Sequence, residues 1–306
     1  MALSPNLRAA SYMCISMAAF TLNDGITKGL VQEMNIGQVM LVRGVFATLL
    51  VALLAWHQDA LHKPSRALHP LVLVRAAAEL GATVTFLIAL AHMPIANVSA
   101  VLQSLPLAVT MGAALVFGET VRWRRWLAIS VGFAGVVVIV RPGFEGFNAY
   151  SLFALLCVVC CAIRDLATRR IPSDIPSLLV STVTAAVVTL FGAALVIPMG
   201  GWTDLSLAQT GRLAGAAALL MPGYIFIILS MRAGDVSFVA PFRYTALLWA
   251  IVLGIVFFDE MPDLPMLVGA ALVIASGLYS LYRESLVGRR RPIVETTRAA
   301  MAPDGT

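Results

Sequence analysis

The 306-residue chain is 60% hydrophobic and only 12% charged, with a mean hydropathy of +0.90. This excludes a soluble globular domain, and the net charge of +5 carries no argument for nucleic acid, because the basic residues lie in short loops and a tail. Of the 21 basic residues only Lys28 and Lys63 are lysine, an arginine bias that leans towards a G+C-rich bacterial genome.

Apolar stretches of about 20 residues predict an all-α membrane protein of ten transmembrane helices, at roughly 9–29, 37–56, 69–91, 95–117, 124–140, 150–170, 177–198, 211–231, 236–258 and 264–282. The first stretch carries Asn23 and Asp24 and has no small-residue cleavage pattern after it, so it is expected to be a retained span and not a signal peptide. Cys14, Cys157, Cys160 and Cys161 all lie in apolar runs; the CxxC at Cys157 and Cys160 lacks histidine partners and reads as packing, with no metal expected. The ninth stretch, Val236 to Glu260, holds Pro241 and Arg243. An arginine near the centre of a span costs roughly 2.5 to 3.5 kcal/mol, so by default it marks a substrate path, an ion pair or a wet cavity. The proline frees a backbone carbonyl beside it, which is tolerated against a cavity or a packed neighbour.

With the N-terminus cytoplasmic, fourteen basic residues fall on that side: Arg8, Lys63, Arg66, Arg122, Arg124, Arg125, Arg169, Arg170, Arg232, Arg283, Arg289, Arg290, Arg291 and Arg298. Only Lys28, Arg141 and Arg212 fall on the other, so the positive-inside rule places both termini in the cytoplasm. The halves also resemble each other at a shift of 141. Asp24, Thr27 and Lys28 fall on Asp165, Thr168 and Arg169, and Glu119 after Phe117-Gly118 falls on Glu260 after Phe258-Asp259. Allowing short gaps, Val98-Ser99 matches Val236-Ser237 and Gly132 matches Gly269. Five spans per half is an odd number, so the second repeat enters the membrane inverted, the arrangement of secondary transporters with a midplane site between the halves. The expected units are a first repeat over 8–141, a second over 149–285 and a disordered cytoplasmic tail over 286–306.

Two five-span repeats, a glutamate closing spans four and nine, and a small-residue span after each resemble the drug/metabolite transporter superfamily, EamA type, over about residues 8–285. Asn23-Asp24…Lys28, Arg43-Gly44, Ala240-Pro241-Phe242-Arg243-Tyr244 and Phe258-Asp259-Glu260-Met261-Pro262-Asp263 look most like the branch that includes bacterial S-adenosylmethionine uptake carriers. The resemblance implies a carrier in the cell inner membrane with a central cavity lined by spans one, three, four, six, eight and nine. It does not imply a substrate.

At about 1.5 Å per residue, Asp24 and Arg43 come out roughly 8 to 9 Å below the outer surface. Arg75, Arg164, Asp165 and Arg243 come out roughly 8 to 10 Å above the inner one, with Glu79 near the middle. One reading makes Asp24 with Arg43, and Asp165 with an inner arginine, structural pairs, while Arg75 and Arg164 snorkel. The other makes Asp24, Arg43, Asp165 and Arg164 coupling or ion-pair residues and puts Arg243, Glu79 and Arg75 at the substrate. For Arg243 and Glu79 function is favoured: one lies beside a proline, the other is too deep to reach either surface. The seven charges sum to one positive, which suits an anionic group or an amino-acid-like zwitterion, with Arg supplying a planar fork for a carboxylate. Asn23 and Gln103, and the aromatics Tyr224, Tyr244 and Trp249, are further lining candidates. Glu119 and Glu260 are read at the outer ends of spans four and nine, capping or bridging the neighbouring repeat.

No HExxH, GxSxG or nucleotide-binding motif is present, so neither an enzyme, a cofactor nor ATP drive is expected. The expected partners are a small molecule and the bilayer, with a homodimer left open; the alternatives are an amino-acid or drug/metabolite exporter of the same superfamily and a lipid-handling membrane protein. The expected topology is checked by tag accessibility in intact cells: a C-terminal tag should be reachable only from the cytoplasm.

Overall fold

The computed structural model describes residues 4–60, 64–119, 121–142, 147–172, 174–233 and 236–288; the expected tail beyond residue 288 lies outside the described residues. Within them every regular element is helical. Helix α1 is Pro5–Val31, started by Ser4, whose hydroxyl accepts the Leu7 N–H at 3.3 Å, with Pro5 in the first turn where its missing N–H costs nothing. Helix α2, Ile36–His57, is capped by Asn35, which accepts the Gln38 N–H at 2.8 Å. Helix α3 is Pro70–His92, and two pieces follow, α4 (Ile95–Leu102) and α5 (Leu105–Phe117), in place of one continuous fourth span. Then come α6 (Trp123–Val140), α7 (Ser151–Arg170), α8 (Ser177–Val196) and α9 (Leu207–Ala233). The ninth span is also broken, into α10 (Val236–Val239), a 3-10 turn over Ala240–Tyr244 and α11 (Thr245–Phe258); α12 is Leu264–Gly288.

Among the described residues nine spans are long and apolar enough to cross a membrane, the broken fourth and ninth included. Helix α1 is not one of the nine. Its 27 residues are interrupted by polar side chains, of which Ser16, Thr21, Asn23, Thr27 and Lys28 are buried, so it is an inner helix whose polarity is spent on protein neighbours. Ser16 donates to the Gly223 carbonyl at 2.7 Å, just after Pro222 in α9, and Ser230 of α9 donates back to the Ala9 carbonyl at 2.6 Å.

The strongest packing partners are α1 with α9, α3 with α7, α2 with α8 and α6 with α12. In span numbers these are 1 with 8, 3 with 6, 2 with 7 and 5 with 10. Exchanging the two halves maps the first pair onto the second and each of the others onto itself, so the packing has the twofold symmetry that the internal shift of 141 encodes. Thr48 of α2 and Thr189 of α8, 141 residues apart, share a hydrogen bond at 3.1 Å where that pseudo-axis passes. Without a hydrophobic drive between helices in lipid, such seams rely on small residues. Added Cβ atoms at Gly37 and Gly192 would each come within 2.7 Å of the partner helix, and one at Gly269 would meet the Gly135 carbonyl at 2.6 Å. Gly269→Ala is therefore expected to lower stability by about 1–3 kcal/mol. Gly29→Ala, with nothing within 4 Å of the new methyl, should be neutral in the same thermal-unfolding assay in detergent.

Candidate functional site

The α3–α7 seam carries the densest charge inside the bundle. Arg164 donates from Nε to Asp165 at 2.8 Å and from Nη1 to Glu79 at 3.2 Å. Both Arg164 and Glu79 sit deep along their helices, yet their side chains keep 24% and 27% exposure. Ionised groups that deep and that accessible call for water or a polar solute beside them, because lipid cannot solvate them. One helical turn away on α3, Arg75 donates to the hydroxyls of Thr168 (3.0 Å) and Thr184 (2.5 Å), so among the described residues its guanidinium is held by neutral groups only. Tyr224 of α9, 54% exposed, lies within electrostatic reach of Glu79, Arg164, Arg75 and Arg43.

On α1, Asn23 and Thr27 stand four apart on one face and both accept from Arg43 Nη1, at 3.2 and 3.3 Å. Asn23 in turn donates to Asp24 Oδ1 at 2.9 Å. The expected direct pair of Asp24 with Arg43 is thus an amide-bridged one, because Asn23 occupies the place nearest the guanidinium. Glu79 likewise pairs with Arg164 on the opposing helix, and no ion pair joins it to Arg75, its neighbour on α3. Cys157 and Cys161 pack with their sulfurs 4.0 Å apart, and no cluster of metal-ligating side chains occurs among the described residues.

The two helix breaks fall at related positions. Gln103 closes α4 and Tyr244 ends the 3-10 turn, and these residues are 141 apart. Gln103 Nε2 and Tyr244 Oη are two of three buried side-chain polar atoms with no partner among the described residues. Broken helices in corresponding places of two repeats are where carriers of this architecture put their site, and an unpaired buried donor waits for a partner. The Tyr244 ring lies over Gly277 of α12, however, whose lack of a side chain makes room for it. Arg243 is exposed, with no ion pair among the described residues; Trp249 is 41% exposed. Neither is joined to the Arg164 cluster by a hydrogen bond there.

Lys28 and Glu260 meet at 2.6 Å, and Glu119 and Arg169 at 3.0 Å. Each glutamate therefore does bridge to another repeat, but Glu119 shares its end of the bundle with Arg122 and Arg169, opposite to Glu260. The reading of both at outer ends is corrected: five spans separate them, so the chain has reversed direction. Near Lys28, Glu33 accepts from Arg212 at 2.6 Å and Gln209 at 2.9 Å, and these bonds, Arg212's foremost, hold its carboxyl below the usual range. A separate cleft of about 320 Å³ between α1 and α11 is lined by Leu22, Gly25, Ile26, Gly29, Leu253, Phe257 and Phe258, with Arg212 its one charge.

The profile of the EamA-like transporter family matches this chain twice, over residues 7–141 and 148–282. An S-adenosylmethionine uptake transporter of Rickettsia felis is 26% identical over 95% of this chain and 98% of its own length. A pseudopaline exporter of Pseudomonas aeruginosa is 26% identical over 85% and 92%, and a riboflavin transporter of Vibrio cholerae 30% identical over 65% and 66%. A solved crystal structure shares the fold, with a TM-score of 0.60 at 19% identity over 92% of this chain and 98% of that one.

Removing Arg164 leaves Glu79 and Asp165 without the cation they share. Arg164→Ala is expected to destabilise the protein, and adding Glu79→Gln should recover part of the loss. The double-mutant cycle in thermal unfolding should give a coupling of about 0.5–3 kcal/mol.

Proposed function

The chain belongs to the EamA-like transporter family and is a multi-pass protein of the cell inner membrane, and from that premise we propose a secondary active transporter of a small amino-acid-like zwitterion or anion, working by alternating access. The observation that carries this reading is the deep, partly exposed Glu79–Arg164–Asp165 chain with Arg75 beside it. Ionised groups are kept inside a membrane protein at a cost, and a path for a polar solute is the use that needs them wet. In this reading α1 is a span as well and completes the set of ten, both termini are cytoplasmic, and residues 8–141 and 149–285 are inverted repeats that rock about the Thr48–Thr189 seam.

The named relatives differ in both substrate and direction, so the substrate class is inferred from residues. Arg75, bonded only to hydroxyls, offers its fork to a carboxylate, with Arg243 as a second anchor. Glu79 or Asp165 takes an ammonium, Gln103 supplies an unpaired amide, and Tyr224, with Trp249 and Tyr244, supplies ring faces for a flat or cationic group. Asp24, Asn23 and Arg43 lie farther along the path, where Asp24 is the candidate for ion coupling. S-Adenosylmethionine, with a carboxylate, an amine, a sulfonium and an adenine, meets all of these demands and heads the candidates. The apolar cleft beside Gly25 and Phe257 gives lipid handling a specific observation of its own.

Uptake into proteoliposomes decides among them. Labelled S-adenosylmethionine and a panel of amino acids are compared in the unmodified protein and in Arg75→Ala, Arg75→Lys, Arg243→Ala and Arg243→Lys. Loss of a charge-assisted pair should reduce uptake by about tenfold or more, with lysine restoring it only in part. Unchanged uptake in both alanine variants overturns the site, no uptake of any zwitterion overturns the substrate class, and lipid scrambling without solute flux selects the rival.

A further inference from the structure

Lys28 and Glu260 at one face repeat, residue for residue, what Arg169 and Glu119 do at the other. Lys28 corresponds to Arg169 and Glu260 to Glu119 at the shift of 141, so each repeat's first-span cation meets the other repeat's fourth-span carboxylate. The surroundings correspond as well. Gly118 and Asp259 both have left-handed backbone, at φ 66° and 53°, and the amides of Glu119 and Glu260 reach back to the carbonyls of Ala113 and Gly254, again 141 apart. Each also has a cation over an aromatic ring: Lys28 lies 5.3 Å from the centre of Phe258, and Arg170 lies 4.0 Å from that of the equivalent Phe117.

The two constellations are in different states. At the first, Lys28 and Glu260 are 6% and 20% exposed; the ammonium also donates to the Met93 carbonyl at 2.5 Å, and the second carboxylate oxygen accepts the Ile95 N–H at 2.9 Å, capping α4, whose own Pro94 supplies no cap. That face is further closed by Gln32 on the Ala91 carbonyl, Asn148 on the His92 carbonyl and the stacked rings of His92 and Tyr150. At the second, Arg169 and Glu119 are 52% and 48% exposed, and among the described residues neither has a further side-chain hydrogen-bond partner.

We propose that these are the two gates of the carrier, each tightening as the other loosens, and that the conformer described is locked at Lys28–Glu260 and only loosely latched at Arg169–Glu119, whose ion pair is formed but exposed. The inference rests on the alternating-access reading, yet its test needs no substrate, so failure of the substrate class leaves it standing and failure of the gate leaves the substrate class standing. A desolvated pair, once made, is costly to break because each partner is left as an uncompensated charge, and this one also caps a helix, whereas an exposed pair is worth little in water. The population therefore sits on the side where the buried lock is made. Opening that lock requires new contacts of similar weight at the other face, which its matching residues can supply.

Hydrogen exchange followed by mass spectrometry on the full protein in lipid nanodiscs tests this. Glu260→Gln keeps the acceptor for Ile95 but removes the charge. It should speed exchange over residues 93–98 by about fivefold or more, the shift that ~1 kcal/mol produces, and slow exchange over 115–119 and 166–170. Arg169→Gln should act in the opposite sense, slowing 93–98. The charge swap Lys28→Glu with Glu260→Lys restores opposite charges but neither the acceptor for Ile95 nor the donor to Met93, so it should return the unmodified pattern only in part. A merely structural pair would loosen both faces together, and that result, or no change at 93–98 in Glu260→Gln, overturns the proposal. If Glu260→Gln does not fold, the Arg169→Gln arm decides alone: slower exchange at 93–98 supports the gate, unchanged or faster exchange removes it.

Discussion

An ionised side chain inside a bilayer must have a partner or water, and the internal layout of this protein follows from how each of its buried charges meets that demand. Arg43 is satisfied by neutral acceptors on α1, Arg75 by hydroxyls on α7 and α8, and Arg164 by two carboxylates. The consequence for architecture is that α1 is drawn inside. A helix with Asn23, Asp24, Thr27 and Lys28 on consecutive turns cannot face lipid, so it packs on α9 and lends its polar face to the interior. The apolar helices that remain, α2, α8, α6 and α12, supply the outer seams, where glycine contact replaces charge.

Twofold symmetry constrains the rest. A repeat that must pack against an inverted copy of itself places equivalent residues against one another near the axis, as with Thr48 and Thr189, and away from the axis makes every contact twice. Perfect symmetry would make the two faces equal in energy and leave no preference for either. The departures from it therefore matter: Lys28 against Arg169, Asp259 against Gly118, and an α4 start capped by Glu260. Lysine is a compact ammonium that fits a closed site with three partners, whereas arginine at the equivalent position stays hydrated and exposed.

Much of this was legible in the chain itself. Span positions, the shift of 141, the charge-bearing helices and the bridging role of Glu119 and Glu260 all come from hydropathy, spacing and the location of charge, which are local properties. What was not legible are contacts between helices. Spacing puts Glu79 and Arg75 on one face of α3, four residues apart, but the ion pair Glu79 makes is with Arg164 of the opposing α7. The amide of Asn23 between Asp24 and Arg43 depends on the rotation of α1 about its axis, which its polar residues on several sides do not fix. The break in α4–α5 had one signal, Pro106 just after Gln103-Ser104, but a proline near a helix start is compatible with an unbroken span or two pieces. The face of Glu119 was recoverable from the span count alone.

The pairing pattern also changes what the charge count means. All seven intramembrane charges sum to one positive, but Arg243 is not tied into the interior network, and the six that remain, Asp24, Arg43, Arg75, Glu79, Arg164 and Asp165, sum to zero. Neutral in total, they are not neutral locally. Two carboxylates share Arg164, leaving that corner negative, while Arg75 holds only hydroxyls and leaves its corner positive. A solute with one charge would neutralise one corner and leave the other without a counterpart, whereas a zwitterion presents both ends at once. Because a site that loses a partner for a buried charge is penalised by more than a missing contact, such an arrangement would, in the proposed reading, discriminate against singly charged analogues as well as bind the doubly charged one. In that reading the same polarity assigns the wall of the path to α3 and α7 and not to the more hydrophobic seams.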